Sequence, residues 1–116
     1  MEAWGFSFTM DLKDCNNSTI KSRELIQEYV IKLCKLLNLE RHGDCLFAPI
    51  NPGSFAMAQF IKPAFITGIF IEADNSAHLD ICAAMLYENF NAIQVIEFTK
   101  HYFDTCEITT HLNIRG

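Results

Sequence analysis

The stretch "FIKPAFITGIFIEADNSAHLDI", Phe60 to Ile81, decides the fold. Ile66 to Glu72 and Ala77 to Cys82 read as two strands joined into a hairpin around "ADNS". The segment before them, Phe55 to Lys62, reads as a third strand. Lys62 and Pro63 then interrupt an apolar run just ahead of Ala64 and Phe65, a step that a continuous buried strand would not contain. Upstream, the turn signal "NPGS" separates this strand from a shorter one at about Cys45 to Ile50.

Working outward, the N-terminal segment alternates strictly. Trp4, Phe6, Phe8, Met10 and Leu12 fall on one face, and Gly5, Ser7, Thr9 and Asp11 on the other, the pattern of a half-buried strand. After the turn-forming "DCNNST", Ile26, Tyr29, Val30, Leu33, Cys34 and Leu37 recur at three- and four-residue steps, with Ser22 in the N-cap position. Ala92, Val95, Ile96, Thr99, Tyr102 and Phe103 form a second helical stripe. A closing strand sets Cys106, Ile108, Thr110, Leu112 and Ile114 against Thr105, Glu107, Thr109, His111 and Asn113. The order is β-α-β-β, repeated in part in the second half. It predicts an α+β two-layer sandwich, one antiparallel sheet with two helices on one face, formed by a single domain over residues 1–116.

Composition narrows the function classes. With 116 residues, half of them apolar, the chain has enough material for one core. No run approaches the ~20 apolar residues of a membrane span, and the N-terminus lacks the pattern of a secretory signal, so a cytoplasmic, membrane-free protein is expected. The formal charge of −5 and nine scattered Lys and Arg offer no basic stripe for nucleic acid. The five cysteines are odd in number and contain no C-x-x-C pair, so neither a disulfide framework nor a zinc site is indicated. Asp44, Glu72, Asp74 and Asp80 lack metal-site spacing, and His42, His101 and His111 read as surface residues.

Several separated segments fit one known family in a single register. They are "MDLKDCN" after the first strand, "AMAQFI", "ITGIFIEADNSAHLDI", the "VIEFTKHYF" helix and the final strand to "IRG". Together they resemble the small prokaryotic S-adenosylmethionine decarboxylases, pyruvoyl-dependent enzymes that supply the aminopropyl donor for spermidine synthesis. The resemblance implies a chain that cuts itself. A serine hydroxyl attacks the preceding carbonyl, and the serine becomes the pyruvoyl group that acts as electron sink for decarboxylation.

The same register implies that this chemistry is missing. The family's processing motif falls on Pro63, Ala64 and Phe65, its processing histidine on Ile69, its second processing serine on Ala56 and its proton-donating cysteine on Ala84. All are apolar here. The resemblance therefore implies an uncleaved, non-catalytic homologue with no pyruvoyl cofactor. Such a protein would bind a partner subunit or a metabolite such as S-adenosylmethionine or its decarboxylated product. A diverged enzyme with relocated machinery is the alternative.

Few groups are left to carry that alternative. Lys62 shares strand parity with Ala64 and would point into the former site, where a desolvated lysine forms Schiff bases; a lysine at a strand end is more often a solvated charge. Glu72 lies near the position of the family's ribose-binding carboxylate. Ser54 and Cys82 each precede a lost catalytic position by two residues, too far for the same proton transfers. Ser76 and His78 imitate a Ser-x-His pair but fit better as a turn serine and a solvent-facing strand histidine. The family's active sites lie at a two-fold contact, so a homodimer, or a heterodimer with an active relative, is expected. The sheet face bearing Gly5, Ser7 and Thr9 is the candidate surface.

Overall fold

The computed structural model describes residues 2–116. Its strands are β1 (Gly5–Lys13), β2 (Glu40–Arg41), β3 (Leu46–Asn51), β4 (Ser54–Lys62), β5 (Ala64–Ile71), β6 (Ser76–Ala83) and β7 (Glu107–Arg115). The helices are α1 (Asn17–Ile20), α2 (Arg23–Leu36) and α3 (Ala92–Phe103), with a short 3-10 turn at Tyr87–Asn89. All seven strands join one antiparallel sheet in the order β2-β4-β5-β6-β1-β7, and β3 pairs β4 beside β2. The segment from Ser54 to Ala83 is thus a three-strand meander, and β1 is inserted between its last strand and β7.

Alternation decides which face carries the core. Phe6, Phe8, Met10 and Leu12 of β1 are all buried, as are Ile66 and Phe70 of β5 and Leu79 and Ile81 of β6. Both long helices pack on this face. Tyr29 of α2 and Phe103 of α3 meet edge to face at 4.9 Å, and Phe103 stacks on Phe70 at 6.3 Å. Each helix starts at a side-chain cap: the Ser22 hydroxyl accepts from the Leu25 N–H at 3.2 Å, and the Asn91 side chain accepts from the Gln94 N–H at 3.0 Å. Two glycines meet local demands. Gly53 closes the "NPGS" turn with φ of +82°, and a Cβ on Gly5 would lie 2.1 Å from the Ala83 carbonyl oxygen.

Some expectations shift. Trp4 precedes β1 and is exposed, because the regular ladder with β7 begins at Gly5, and Cys106 is exposed ahead of β7 for the same reason. "DCNNST" contains the single turn α1, capped by Asn16, rather than turn alone. The two-residue β2 has no alternating pattern to announce it. None of the described helices is long and apolar enough to cross a membrane.

A polar bond ties the helices together inside the core. The Tyr29 and Thr99 hydroxyls lie 2.7 Å apart with both residues fully buried, and burial raises the phenol well above its ordinary pKa. Replacing Thr99 with Val is expected to cost about 1–3 kcal/mol, because the Tyr29 hydroxyl loses its partner out of reach of water. Removing both hydroxyls, in Tyr29→Phe with Thr99→Val, is expected to recover most of that loss. Urea unfolding of the parent and the two variants checks it; a Thr99→Val single mutant as stable as the parent would contradict the bond.

Candidate functional site

The Lys62–Pro63 step is the tip of a hairpin. Ile61 pairs directly with Ala64, so Lys62 and Pro63 form the turn between β4 and β5, joined by a cis peptide bond. Ala64 is buried on the helix-bearing side and also pairs with Ala83 of β6. Just beyond β6, the Ala84 N–H donates to the Pro63 carbonyl at 3.0 Å. Pro63, Ala64, Phe65 and Ala84 therefore gather at one end of the sheet. From Lys62 to Phe65 there is no hydroxyl or thiol.

Parity across this tip does not carry the orientation expected of Lys62. A two-residue turn reverses the chain, so Ile61 and Ala64 share the buried face while Lys62 is exposed and alternates to the other one. Cys82, directly opposite Phe65, lies at the same end on the uncovered face. Glu72 does not join them. It follows the far end of β5, eight residues from Ala64 and roughly 25 Å away at ~3.3 Å per residue. The three candidate ligand residues Lys62, Glu72 and Cys82 are not one site within a chain.

Ala56 and Ile69 form a second group. They are direct cross-strand partners on the uncovered face, five residues along β5 from Ala64 and so roughly 17 Å from the tip. Around them lies an apolar trough of about 380 Å³, lined in part by Leu46, Ala48, Ala58, Thr67 and His78. Beside it Phe60 and Phe65 are exposed, with ring centroids 6.3 Å apart. The uncovered face is thus apolar over β3, β4 and β5 and polar over β6, β1 and β7.

On the polar half, the His78 Nδ1–H donates to Asp11 Oδ1 at 2.7 Å; His78 also borders the trough, and among the described residues its other ring nitrogen makes no hydrogen bond. Asp80, between Thr67 and Thr9 in the adjoining row, has a buried Oδ1 without a hydrogen-bond partner. Ser76 shares the face of β6 with His78, and among the described residues its side chain makes no hydrogen bond to it. Ser54 bonds Asn51 in the "NPGS" turn. The Asp11–His78 pair escaped sequence reasoning because it spans β1 and β6; matching the alternation of the two strands in register would have revealed it.

Chemistry elsewhere is muted. Burial pushes the Cys15 and Cys34 thiols up to about 11, the first helped by the nearby Asp14 charge, and burial also raises Cys45. Such thiols are poor nucleophiles near neutral pH. Among the described residues, no group of three or more His, Cys, Asp or Glu is placed to hold a metal ion.

Residues 7–116 match the family model for S-adenosylmethionine decarboxylase. The fold is similar to the crystal structure of the adenosylmethionine decarboxylase from Aquifex aeolicus VF5. That superposition has a TM-score of 0.83 at 16% sequence identity and covers 100% of this chain and 93% of that one. No curated protein matches the chain significantly.

Proposed function

The chain belongs to the S-adenosylmethionine decarboxylase family, and from that premise we propose that it is a non-catalytic member, uncut and without a pyruvoyl group. It acts in the cytoplasm, in S-adenosylmethionine and polyamine metabolism, by pairing its uncovered sheet face with an active relative or a copy of itself. The observation that carries this reading is the hairpin tip. A pyruvoyl group arises from a serine, and Lys62, Pro63, Ala64 and Phe65 do not fit that origin. Ala56 and Ile69 add no acid or base.

The pairing rests on two further features. The positions matching the family's machinery split into two groups roughly 17 Å apart, which a single chain does not bring together; a second chain laid over the uncovered face at the tip, where Phe65 lies, would carry its own Ala56 and Ile69 toward that end of the sheet. That face carries an apolar trough flanked by exposed aromatic rings, the composition of an interface core rather than of a solvated sheet. A metabolite such as S-adenosylmethionine would meet Lys62 or Cys82 from one chain and Glu72 from the other. All five cysteines are free, which suits a reducing compartment.

Native mass spectrometry tests this reading, on the protein alone and co-expressed with an active family decarboxylase. Mixed or self-paired dimers are expected, with no carbon dioxide released from S-adenosylmethionine by the protein alone. Monomers in both samples would refute the pairing. A second reading, a diverged enzyme acting on S-adenosylmethionine or a related amine, draws on the Asp11–His78 pair, since a carboxylate-oriented imidazole is a usual acid-base group. Turnover by the isolated chain that disappears in His78→Ala would put this second reading in place of the first.

A further inference from the structure

Among the described residues, the outer side of β7 is a long free edge. At the opposite side of the sheet, β4 is covered by β3 and β2, whereas all nine residues of β7 pair with β1 alone. Such an edge presents unpaired N–H and C=O groups, and proteins usually blunt it with charges, proline or a bulge. Between Ile108 and Ile114 the sequence "ITTHLNI" contains no Lys, Arg, Asp, Glu or Pro, and its register with β1 runs without a shift. Charges stand only at the two ends of the strand, Glu107 and Arg115, and they are opposite in sign.

We propose that β7 pairs antiparallel with β7 of a second copy, about a two-fold axis at His111. In this register Glu107 of each copy stands opposite Arg115 of the other, Ile108 opposite Ile114, Thr109 opposite Asn113, and Thr110 opposite Leu112. It is the register that uses all nine residues, and it is also the one that opposes unlike charges. A shift of two residues puts Glu107 against Asn113 and leaves Arg115 beyond the paired segment. A shift of one would turn the helix-bearing faces to opposite sides.

Burial favours the same contact. Leu112 and Ile114 lie on the helix-bearing side of β7 and are 43% and 50% exposed. Ile108 and Thr110 of the second copy cover them. The two-fold axis runs perpendicular to the sheet, so both uncovered faces stay on one side as a surface of double width. The edge contact does not depend on the face pairing and stands if that pairing fails.

Cysteine crosslinking reads the register directly, in a Cys106→Ser background because Cys106 is exposed. His111 faces its own copy across the axis, where paired Cα atoms lie about 4.5–5.5 Å apart, within disulfide reach. The two Thr109 residues would lie roughly 14 Å apart. Oxidised His111→Cys is expected to run as a covalent dimer and Thr109→Cys as a single chain. In sedimentation, Glu107→Arg or Arg115→Glu alone is expected to shift edge association to about tenfold higher concentration or more, and the two together to restore it. Equal crosslinking at both positions, no crosslinking at position 111, or single swaps that leave association unchanged would overturn the proposal.

Discussion

Ala64→Ser is expected to remain a single uncut chain, with intact mass unchanged through incubations in which an active family proenzyme processes fully. The substitution supplies the missing oxygen next to the Pro63 carbonyl, which already accepts one hydrogen bond, from the Ala84 N–H. Attack also needs proton transfers. General acid-base assistance is typically worth ~10²–10⁴ in rate, and neither Ala56 nor Ile69 provides it. Pro63 further constrains the bond to be attacked, because its ring holds φ near about −65°. Combining Ala56→Ser, Pro63→Glu, Ala64→Ser, Phe65→His and Ile69→His is expected to process slowly. Prompt cleavage of the single mutant would show that the tip is still preorganised and would defeat the reading of an abandoned mechanism.

Phe103→Ala is expected to lower stability by about 3–5 kcal/mol, more than the loss of the Tyr29–Thr99 bond does. Its ring is fully buried where α2, α3 and the sheet meet, 4.9 Å from Tyr29, 5.5 Å from Tyr102 and 6.3 Å from Phe70 by ring centroids. Truncation removes aromatic contacts to three neighbours and leaves a cavity that the β5 backbone cannot close, because Phe70 is held in the ladder between β4 and β6. Total stabilities of about 5–15 kcal/mol make this a large fraction. Denaturant unfolding followed by far-UV circular dichroism measures it. A loss under about 1 kcal/mol would mean that the ring does not bridge the helices to the sheet.

Much of the fold was legible because its signals are local. The alternation of Phe6, Phe8, Met10 and Leu12 places one face of β1 in the core, and the stripe from Ile26 to Cys34 orients α2 behind its Ser22 cap. The two turns "NPGS" and "ADNS" occur where Gly53 and Asn75 take up left-handed backbone. What misled was parity read through the tip. Counting from Lys62 to Ala64 assumes an unbroken strand, and a two-residue reversal moves the lysine to the other face. Trp4 and Cys106 misled similarly, because each continues an alternation past the point where the ladder stops.

The replaced positions are a property of the sequence alone. At Ala56, Pro63, Ala64, Phe65, Ile69 and Ala84, the positions that the family resemblance implies for self-cleavage, the side chains carry no hydroxyl, thiol or imidazole, and no folding alters that. The grouping of those positions is a property of the tertiary structure. Strand pairing between residues far apart in sequence brings Ala84 to Pro63, holds Ala56 and Ile69 away from both, sends Glu72 to the opposite end and joins Asp11 to His78. Those registers depend on how entire strands bury one face against the helices, and no local window of the sequence contains that information.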